Sequence, residues 1–358
     1  TDGDAENSTL TVLNRADVSL ADLNVADNGT SAEIVQGDAE NVSVDVTNAG
    51  GTAGAADLEL TFENTATGET TTERERVRNL AAGNTTTAVF QDATSSLAAG
   101  TYDVTITTEN DSVVGDLTVL VPATGELSAL DIAGEGGDAT ILEGTDESVT
   151  VNVTNTGEAA GSFDVELAID ASASNVTQTT AELAENETET VTFDNVTGNL
   201  GAGDYTVTVS TGDDTTTGDL RVNAPAESAL SALDIAGQGD AAEIVEGDNE
   251  SVSVDVENIG DVQGSFDVTL ETDNVSETTA VTLNGSETKT VTFESVTGEL
   301  SAGEYPVTVS TDDDDSVEGS LTVLEPATPA LSNLKIGDQG TDATIDEGDN
   351  VPIRTLLE

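Results

Sequence analysis

The sequence contains no cysteine, methionine, tryptophan or histidine, and its only aromatic residues are six Phe and three Tyr. Without Cys and His, the common nucleophile-and-base pairs of enzymes and the common zinc sites cannot be assembled. There is also no Gly-rich phosphate loop, and the carboxylates are too numerous for one pair to stand out as general acid and base. These absences argue against an enzyme, so we expect neither a catalytic site nor an organic cofactor.

Basic residues are also scarce, with 8 Lys and Arg against 71 Asp and Glu and a formal net charge of -63. Such a chain lacks the basic surface of a nucleic-acid-binding protein and is repelled by anionic membranes. No apolar run approaches the ~20 residues that cross a bilayer. We therefore expect no nucleic-acid partner, no direct membrane insertion, and a protein suited to high salt, where its self-repulsion is screened.

One apolar landmark recurs along the chain at domain-sized intervals. It reads LADLNV at 20–25, LSALDI at 127–132, LSALDI at 230–235 and LSNLKI at 331–336. A period of about 100 residues predicts tandem domains rather than a solenoid, whose repeats are about 20 to 50 residues long. We predict a terminal strand segment at residues 1–19, repeat 1 at 20–126, repeat 2 at 127–229, repeat 3 at 230–330, and a partial fourth repeat at 331–358.

Within each repeat, apolar and polar residues alternate with the period of half-buried strands. In repeat 2, Val149, Val151 and Val153 alternate with polar residues before an Asn-Thr-Gly turn. About seven such strands per repeat, without helical spacing, predict an all-β fold of tandem immunoglobulin-like antiparallel β-sandwiches with no parallel pairs. A Tyr after an Ala-Gly turn in every repeat is expected to be the corner tyrosine of such a sandwich.

Two runs of repeat 2 resemble a known family. They are VTVNVTNTGEAAGSFDVELAID at 149–170 and ETVTFDNVTGNLGAGDYTVTVST at 189–211, and they are similar to the CARDB-type immunoglobulin-like domain of secreted archaeal and bacterial proteins. The resemblance covers all three repeats, although GDLRV at 218–222 replaces the acidic-Asn motif that usually ends the module. It implies a role in extracellular adhesion or spacing and no catalytic residues. The acidic, Lys-poor composition further resembles secreted proteins of haloarchaea.

Twelve Asn-x-Ser/Thr sequons are candidate N-glycosylation sites, about twice the number that chance would give for this composition. The alternative is that Thr-rich strands generate such triplets by accident. Attached N-linked glycans would indicate an exported cell-surface protein. The candidates are Asn7, Asn28, Asn41, Asn84, Asn110, Asn152, Asn175, Asn186, Asn195, Asn249, Asn274 and Asn284.

Acidic turns are weak candidates for cation sites, because carboxylate oxygens are the ligands that Ca²⁺ and other hard cations prefer. The densest cluster is Asp312, Asp313, Asp314 and Asp315. None of these turns fits a known calcium loop, so a solvated acidic surface is the alternative interpretation.

The single basic cluster consists of Arg74, Arg76 and Arg78 in the segment TTERERVR. Their spacing of two places all three on one face of a strand. We predict either an interface that docks an acidic neighbour, such as another copy of the chain or another surface protein, or an exposed strand whose arginines pair with Glu73 and Glu75.

Three functions are open: a subunit of a cell-surface filament or surface layer, an adhesin stalk or spacer of a larger surface glycoprotein, or an accessory module of an enzyme whose catalytic domain would lie outside this sequence. The segment LTVL at 10–13 matches the last strand of repeats 1 and 3. Residues 331–358 open a fourth repeat, but its valine alternation gives way to VPIRTLLE, with Pro352 at a ladder position. Both segments belong either to a longer array or to a head-to-tail contact by strand complementation between copies.

Salt dependence follows from the net charge. Dialysis from molar salt to about 0.1 M lengthens the screening distance from ~3 Å to ~10 Å, so the carboxylates repel each other and we expect the domains to expand or unfold. Circular dichroism and the hydrodynamic radius across this range measure the effect. A β-spectrum and a radius that both stay constant would contradict it.

Overall fold

The computed structural model describes residues 8–170, 175–273, 275–336, 344, 347 and 352–357. This part of the chain contains no helix long and apolar enough to cross a membrane. Each repeat contributes eight strands. Those of repeat 1 are β1 (Val18–Val25), β2 (Ser31–Val35), β3 (Val42–Asn48), β4 (Gly54–Asn64), β5 (Thr70–Leu80), β6 (Thr85–Phe90), β7 (Gly100–Thr107) and β8 (Ser112–Leu120).

The strands of the later repeats follow the same order. Repeat 2 contains β9 (Gly125–Ile132), β10 (Asp138–Leu142), β11 (Val149–Asn155), β12 (Asp164–Ile169), β13 (Val176–Thr179), β14 (Thr188–Phe193), β15 (Gly203–Ser210) and β16 (Thr215–Asn223). Repeat 3 contains β17 (Ser228–Ile235), β18 (Ala241–Val245), β19 (Val252–Asn258), β20 (Gly264–Thr272), β21 (Val275–Leu283), β22 (Thr288–Phe293), β23 (Gly303–Ser310) and β24 (Ser316–Leu324). A last hairpin consists of β25 (Leu331–Ile336) and β26 (Ile353–Leu357).

Each repeat has a small and a large sheet. In repeat 1 the small sheet has the order β1-β3-β6 and the large sheet β2-β8-β7-β4-β5. Repeat 2 has β9-β11-β14 and β10-β16-β15-β12-β13, and repeat 3 has β17-β19-β22 and β18-β24-β23-β20-β21. Two sheets enclosing an apolar core in each repeat confirm the predicted all-β fold of tandem immunoglobulin-like sandwiches.

The expectation that no strands pair in parallel is wrong at one edge of the large sheet. β2 runs parallel to β8, with Ile34 opposite Val119, and β18 runs parallel to β24, with Ile244 opposite Val323. Since β1 and β2 belong to different sheets, the turn between them need not form a hairpin, and β2 is free to take the direction of its neighbour β8.

The recurring apolar landmark contains a β-bulge rather than a simple alternation. The register of β1 against β3 shifts inside the landmark, where Asp22 has a left-handed φ of 51°. Because of the extra residue, Leu20 and Leu23 both face the core although they are three positions apart. Ala129 and Ala232 have φ values of 50° and 53° at the same place in repeats 2 and 3.

Valine alternation builds the core, as predicted. Val42, Val44 and Val46 of β3 are completely buried, and so are the corresponding valines of β11. Aromatic residues are few but central, since the rings of Phe62 and Tyr102 meet edge to face with centroids 6.5 Å apart. Each large apolar side chain removed from water stabilises the fold by about 1.5–3 kcal/mol, so valine-rich cores can serve these small domains.

The predicted corner tyrosine is confirmed in repeats 1 and 3. The Tyr102 hydroxyl donates a hydrogen bond of 2.8 Å to the carbonyl oxygen of Ala98, and the Tyr305 hydroxyl donates one of 2.9 Å to that of Ser301. Each bond ties the start of a late strand to the loop four residues upstream, as in other immunoglobulin-like sandwiches. These tyrosines therefore fix the loops.

The chain divides into two compact units, residues 1–200 with 204–221 and residues 201–203 with 222–358. Repeat 1 and most of repeat 2 belong to the first unit, and repeat 3 belongs to the second. The repeat boundaries deduced from the sequence landmarks remain predictions.

The last hairpin has the register that opens a repeat. Ile336 of β25 is opposite Ile353 of β26, as Ile235 of β17 is opposite Val252 of β19. The expectation that Pro352 occupies a ladder position is wrong, because the paired residues of β26 begin directly after it. The proline, which has no N–H to donate, lies just outside the paired residues.

Candidate functional site

A buried asparagine fixes the segment that leads into each repeat. The three asparagines, called the asparagine clamps, are Asn48, Asn155 and Asn258, at the ends of β3, β11 and β19. The segments that they hold, called the lead-ins, are residues 14–17, 121–124 and 224–227. All three side chains have 0% exposure. A polar amide is stable at such a position only when its hydrogen bonds are made inside the protein.

The clamp of repeat 2 uses every donor and acceptor of its amide. The Asn155 Oδ1 accepts hydrogen bonds from the backbone N–H of Thr124, at 3.2 Å, and of Gly157, at 2.9 Å. The Nδ2 donates to the carbonyl oxygens of Ala159, at 2.8 Å, and Leu183, at 3.0 Å. One side chain thus joins the lead-in, the turn after β11 and the segment before β14.

The other two repeats contain the same four bonds. Asn48 bonds to the backbone of Asp17, Gly50, Thr52 and Leu80. Asn258 bonds to the backbone of Glu227, Gly260, Val262 and Leu283. The lead-ins are therefore docked in the same way in repeats whose lead-in sequences differ.

The glycine of each Asn-x-Gly turn lets the lead-in approach the turn. A Cβ on Gly157 would lie 2.0 Å from the carbonyl oxygen of Pro122, and the corresponding distances to Arg15 and Pro225 are 2.1 and 1.9 Å. Only glycine leaves room for this contact. The turn was predicted from the sequence, but the buried amide was not. The signal was the recurrence of Asn-x-Gly at a fixed distance after each lead-in.

Replacing the clamp tests its contribution to stability. Asn155→Ala leaves two N–H groups and two carbonyls without their partner, so we expect it to lower the free energy of unfolding of repeat 2 by roughly 3 kcal/mol. Hydrogen exchange of the β11 amides in molar salt measures this loss within one repeat. Asn152→Ala is the control in the same strand, since its half-buried amide accepts one bond, from Thr190. Equal losses in the two variants would contradict the clamp.

The three arginines of the basic cluster, called the β5 arginine row, lie on the edge strand of the large sheet of repeat 1. The Arg74 Nε donates to the Glu59 Oε2 at 2.7 Å, and the Arg76 Nη1 lies 3.0 Å from the Asp57 Oδ1. Both acidic partners are on the neighbouring strand β4, at the positions opposite their arginines. No ion pair involves Arg78 within the described residues.

The suggested pairing of the row with Glu73 and Glu75 is wrong. These two residues are opposite Leu60 and Leu58, so they alternate with the arginines and lie on the side of the sheet that faces the small sheet. Instead, the row borders an open groove on the solvent face of the large sheet, which is also lined by Thr107 and by the carboxylates that bind the arginines.

Three of the four candidate cation ligands, Asp312, Asp313 and Asp315, accept hydrogen bonds from their own repeat. Asp312 accepts a hydrogen bond of 2.9 Å from the N–H of Asp267, and Asp315 accepts one of 2.5 Å from the N–H of Leu230. No three acidic side chains among the described residues come together to hold a metal ion. The carboxylates tie the turn between β23 and β24 to neighbouring strands, and cation binding there stays a prediction.

Asp313 shows how such a carboxylate is stabilised in its charged form. Its oxygens accept hydrogen bonds from the backbone N–H of Ser228, at 2.6 Å, and from the Thr311 hydroxyl, at 2.5 Å. Burial favours the neutral acid, but the hydrogen bonds from Ser228 and Thr311 outweigh it and hold the pKa of Asp313 below its ordinary value.

A similar carboxylate occurs in every repeat. Asp214 accepts a hydrogen bond of 2.9 Å from the N–H of Leu127, near the start of β9, and another of 2.8 Å from the N–H of Thr215. These two backbone bonds lower the pKa of Asp214, against a smaller opposing effect of burial. The equivalent acceptors in repeats 1 and 3 are Asp111 and Asp315.

The lowered pKa of Asp214 predicts a pH dependence. Such a carboxylate stabilises the fold above its unfolded pKa of about 3.9 and loses this effect as the pH falls through the folded value. We expect Asp214→Ala to lower the melting temperature of repeat 2 at pH 7, by a margin that shrinks below about pH 4. Melting from pH 7 to pH 2 in molar salt measures it, with Asp194→Ala, an exposed acid of the same repeat, as control. A margin that stays constant down to pH 2 would contradict the assignment.

The sequons are mostly at accessible positions. Asn7 and Asn274 lie outside the described residues, and Asn152 is half-buried in β11. The exposed candidates are Asn28, Asn41, Asn84, Asn110, Asn175, Asn186, Asn195, Asn249 and Asn284. Attachment of a glycan requires exposure but is not proved by it, so N-glycosylation stays a prediction.

Among solved structures, the chain is similar to three immunoglobulin domains of titin and to a 1.5-MDa bacterial ice-binding adhesin. In each case the sequences are 14% identical, the match covers 89% of this chain and 100% of the other, and the TM-score is 0.33. For alpha-2-macroglobulin of Escherichia coli the identity is 14%, the coverage 85% and 33%, and the TM-score 0.24. No curated protein matches the sequence.

The resemblance noted in the sequence is confirmed by comparison with protein families. The CARDB family matches three stretches, residues 20–118, 130–221 and 232–321. Each stretch holds most of the strands of one sandwich, including its valine-rich core strand and its clamp. Immunoglobulin-like repeats of this kind are generally non-catalytic. Since the three matches together span most of its length, the chain belongs to the CARDB family.

Proposed function

We propose that the protein is an extracellular structural protein, a subunit of a cell-surface filament or surface layer in which copies join head to tail. The observation that carries the proposal is the docking of the lead-in of repeat 2, which leaves little free linker after the last strand of repeat 1. The CARDB repeats, the acidic surface and the exposed sequons support an extracellular location.

The linker between repeats 1 and 2 is short, and its backbone is hydrogen-bonded to repeat 2. β8 ends at Leu120, and the next residue is already bonded to repeat 2: the Val121 N–H donates to the Glu158 Oε2 at 2.9 Å. The Val121 carbonyl accepts bonds from the N–H groups of Glu158, at 3.1 Å, and Ala159, at 3.0 Å. Four residues later the chain enters β9. The backbone of a flexible linker forms its hydrogen bonds with water, whereas the backbone of this linker forms them with the repeat that follows.

The segment before repeat 1 is docked in the same way as the joint between repeats 1 and 2. Residues 14–17 occupy the clamp of Asn48 as residues 121–124 occupy that of Asn155. The preceding Leu10 and Val12 are 88% and 82% exposed, whereas the residues at the same place in β8 are core residues with 1% exposure. Residues 8–17 form no strand in this structure, contrary to the prediction of a terminal strand segment at 1–19. Their exposed apolar alternation supports pairing with the sheet of a neighbouring copy, which would cover the apolar side chains.

The second candidate is an adhesin stalk or spacer within a larger surface glycoprotein. The bonded joint between repeats 1 and 2 favours it, because a spacer built from such joints would hold a terminal domain away from the cell. In that case copies of this chain would not polymerise, and their assembly in solution distinguishes the two functions.

We expect Leu10→Ser with Val12→Ser to abolish polymers of the purified protein, because the exposed segment would lose the apolar side chains proposed to pack against a neighbouring copy. Electron microscopy and sedimentation in molar salt measure assembly, and circular dichroism checks the fold. Residues 14–17 are kept because the clamp of repeat 1 needs them. Thr9→Ser with Thr11→Ser is the control, since it alters the alternate positions of the same segment. Normal filaments in the Leu10 and Val12 variant would exclude strand complementation, and monodisperse wild-type rods would favour the stalk.

A further inference from the structure

We infer that the β5 arginine row is a lateral contact between copies of this chain, which binds an acidic surface of a second copy and joins filaments side by side. The inference rests on the proposed structural function but concerns another surface than the head-to-tail joint. It draws on the position of the row in the sheet, on its charges and on the rest of the chain's surface.

The row lies on β5, and the equivalent edge strands of the three repeats differ in length and sequence. β5 has 11 residues, whereas its equivalents β13 and β21 have 4 and 9 and contain no basic residue. As the last strand of the large sheet, β5 has one side of its backbone without a neighbouring strand. Such an edge is a template for a partner unless its side chains prevent pairing.

The charge pattern of β5 prevents it from pairing with its own copy. Two β5 strands related by a twofold axis place residues of the same face opposite each other, for example Arg74 opposite Arg76 or Arg78. Like charges directly opposite in a sheet are destabilising. The row of one copy therefore contacts a different, acidic surface of the other copy, in a contact that is either mutual across a twofold axis or repeated from copy to copy.

Charge complementarity points to a second copy as the partner. Three of the 8 basic residues of the chain are in the row, whereas the whole chain contains 71 acidic residues. At molar salt, repulsion between copies is screened beyond ~3 Å, so ion pairs in direct contact persist while the overall repulsion fades. Arginine is suited to such contacts, since its planar guanidinium binds a carboxylate through two parallel hydrogen bonds.

Arg78 is the residue on which the test depends. Arg74 and Arg76 already bind the carboxylates of β4, but no ion pair to the exposed Arg78 occurs in the described part of the chain. Reversing its charge therefore breaks no internal salt bridge. Arg221→Glu is the control for net charge, because this exposed arginine lies outside the row and its reversal changes the net charge by the same amount. It also breaks the ion pair of Arg221 with Asp204 at 3.2 Å, so the fold of this variant is checked as well.

The experiment uses the full chain carrying Leu10→Ser and Val12→Ser, so that head-to-tail growth does not obscure the lateral contact. Sedimentation velocity in molar salt over a range of concentrations gives the dissociation constant for side-by-side association. We expect Arg78→Glu to raise this constant at least about tenfold and Arg221→Glu to change it no more than about twofold. Circular dichroism confirms that both variants are folded.

Equal effects of the two reversals, or no effect of Arg78→Glu, would overturn the inference. So would binding of soluble alginate by the wild type but not by Arg78→Glu with self-association unchanged, because the partner would then be an anionic polysaccharide. Failure of the proposed function has a different signature. Without filaments the lateral contact is still measurable, whereas filaments that form but do not associate laterally through Arg78 contradict this inference alone.

Discussion

The rest of the structure depends on one interaction, the four hydrogen bonds of a buried asparagine amide. Asn155 and its equivalents join three pieces of backbone that are far apart in sequence, and no other side chain of similar size can donate twice and accept twice at one point. Because the amide is buried, each missing partner would leave a polar group without water. The lead-in is thereby part of the domain that it precedes.

Carboxylates have two roles in this protein. Most of the 71 acidic residues form the solvated surface, whose repulsion must be screened by salt. A few, such as Asp214 and Asp313, accept backbone hydrogen bonds at the turns that meet the first strand of a repeat, where they replace lysine or arginine partners that the chain hardly contains. Backbone N–H groups are present whatever the side chains are. A chain with very few Lys and Arg residues can therefore still stabilise its carboxylates by hydrogen bonds.

The three repeats are alike in what holds them together and differ at their exposed edge. Valine-rich core strands and clamps recur in all three, and the bulge of the first strand is found in each. The last strand of the large sheet varies from 4 to 11 residues and from uncharged to arginine-rich. Edge strands are where a sandwich meets other chains, so variation there changes its partners without changing its core.

The sequence by itself determined the all-β fold, the number of repeats and the corner tyrosines, because period-two alternation and turn residues act locally and recur three times. It also placed Arg74, Arg76 and Arg78 on one face. Only the tertiary structure decided that β2 pairs in parallel, that the arginines bind carboxylates of β4 rather than neighbours in β5, and that Asn-x-Gly is a clamp. These features depend on contacts between segments about 15 to 85 residues apart, and a local pattern contains no information about which distant backbone will meet a given amide or carboxylate.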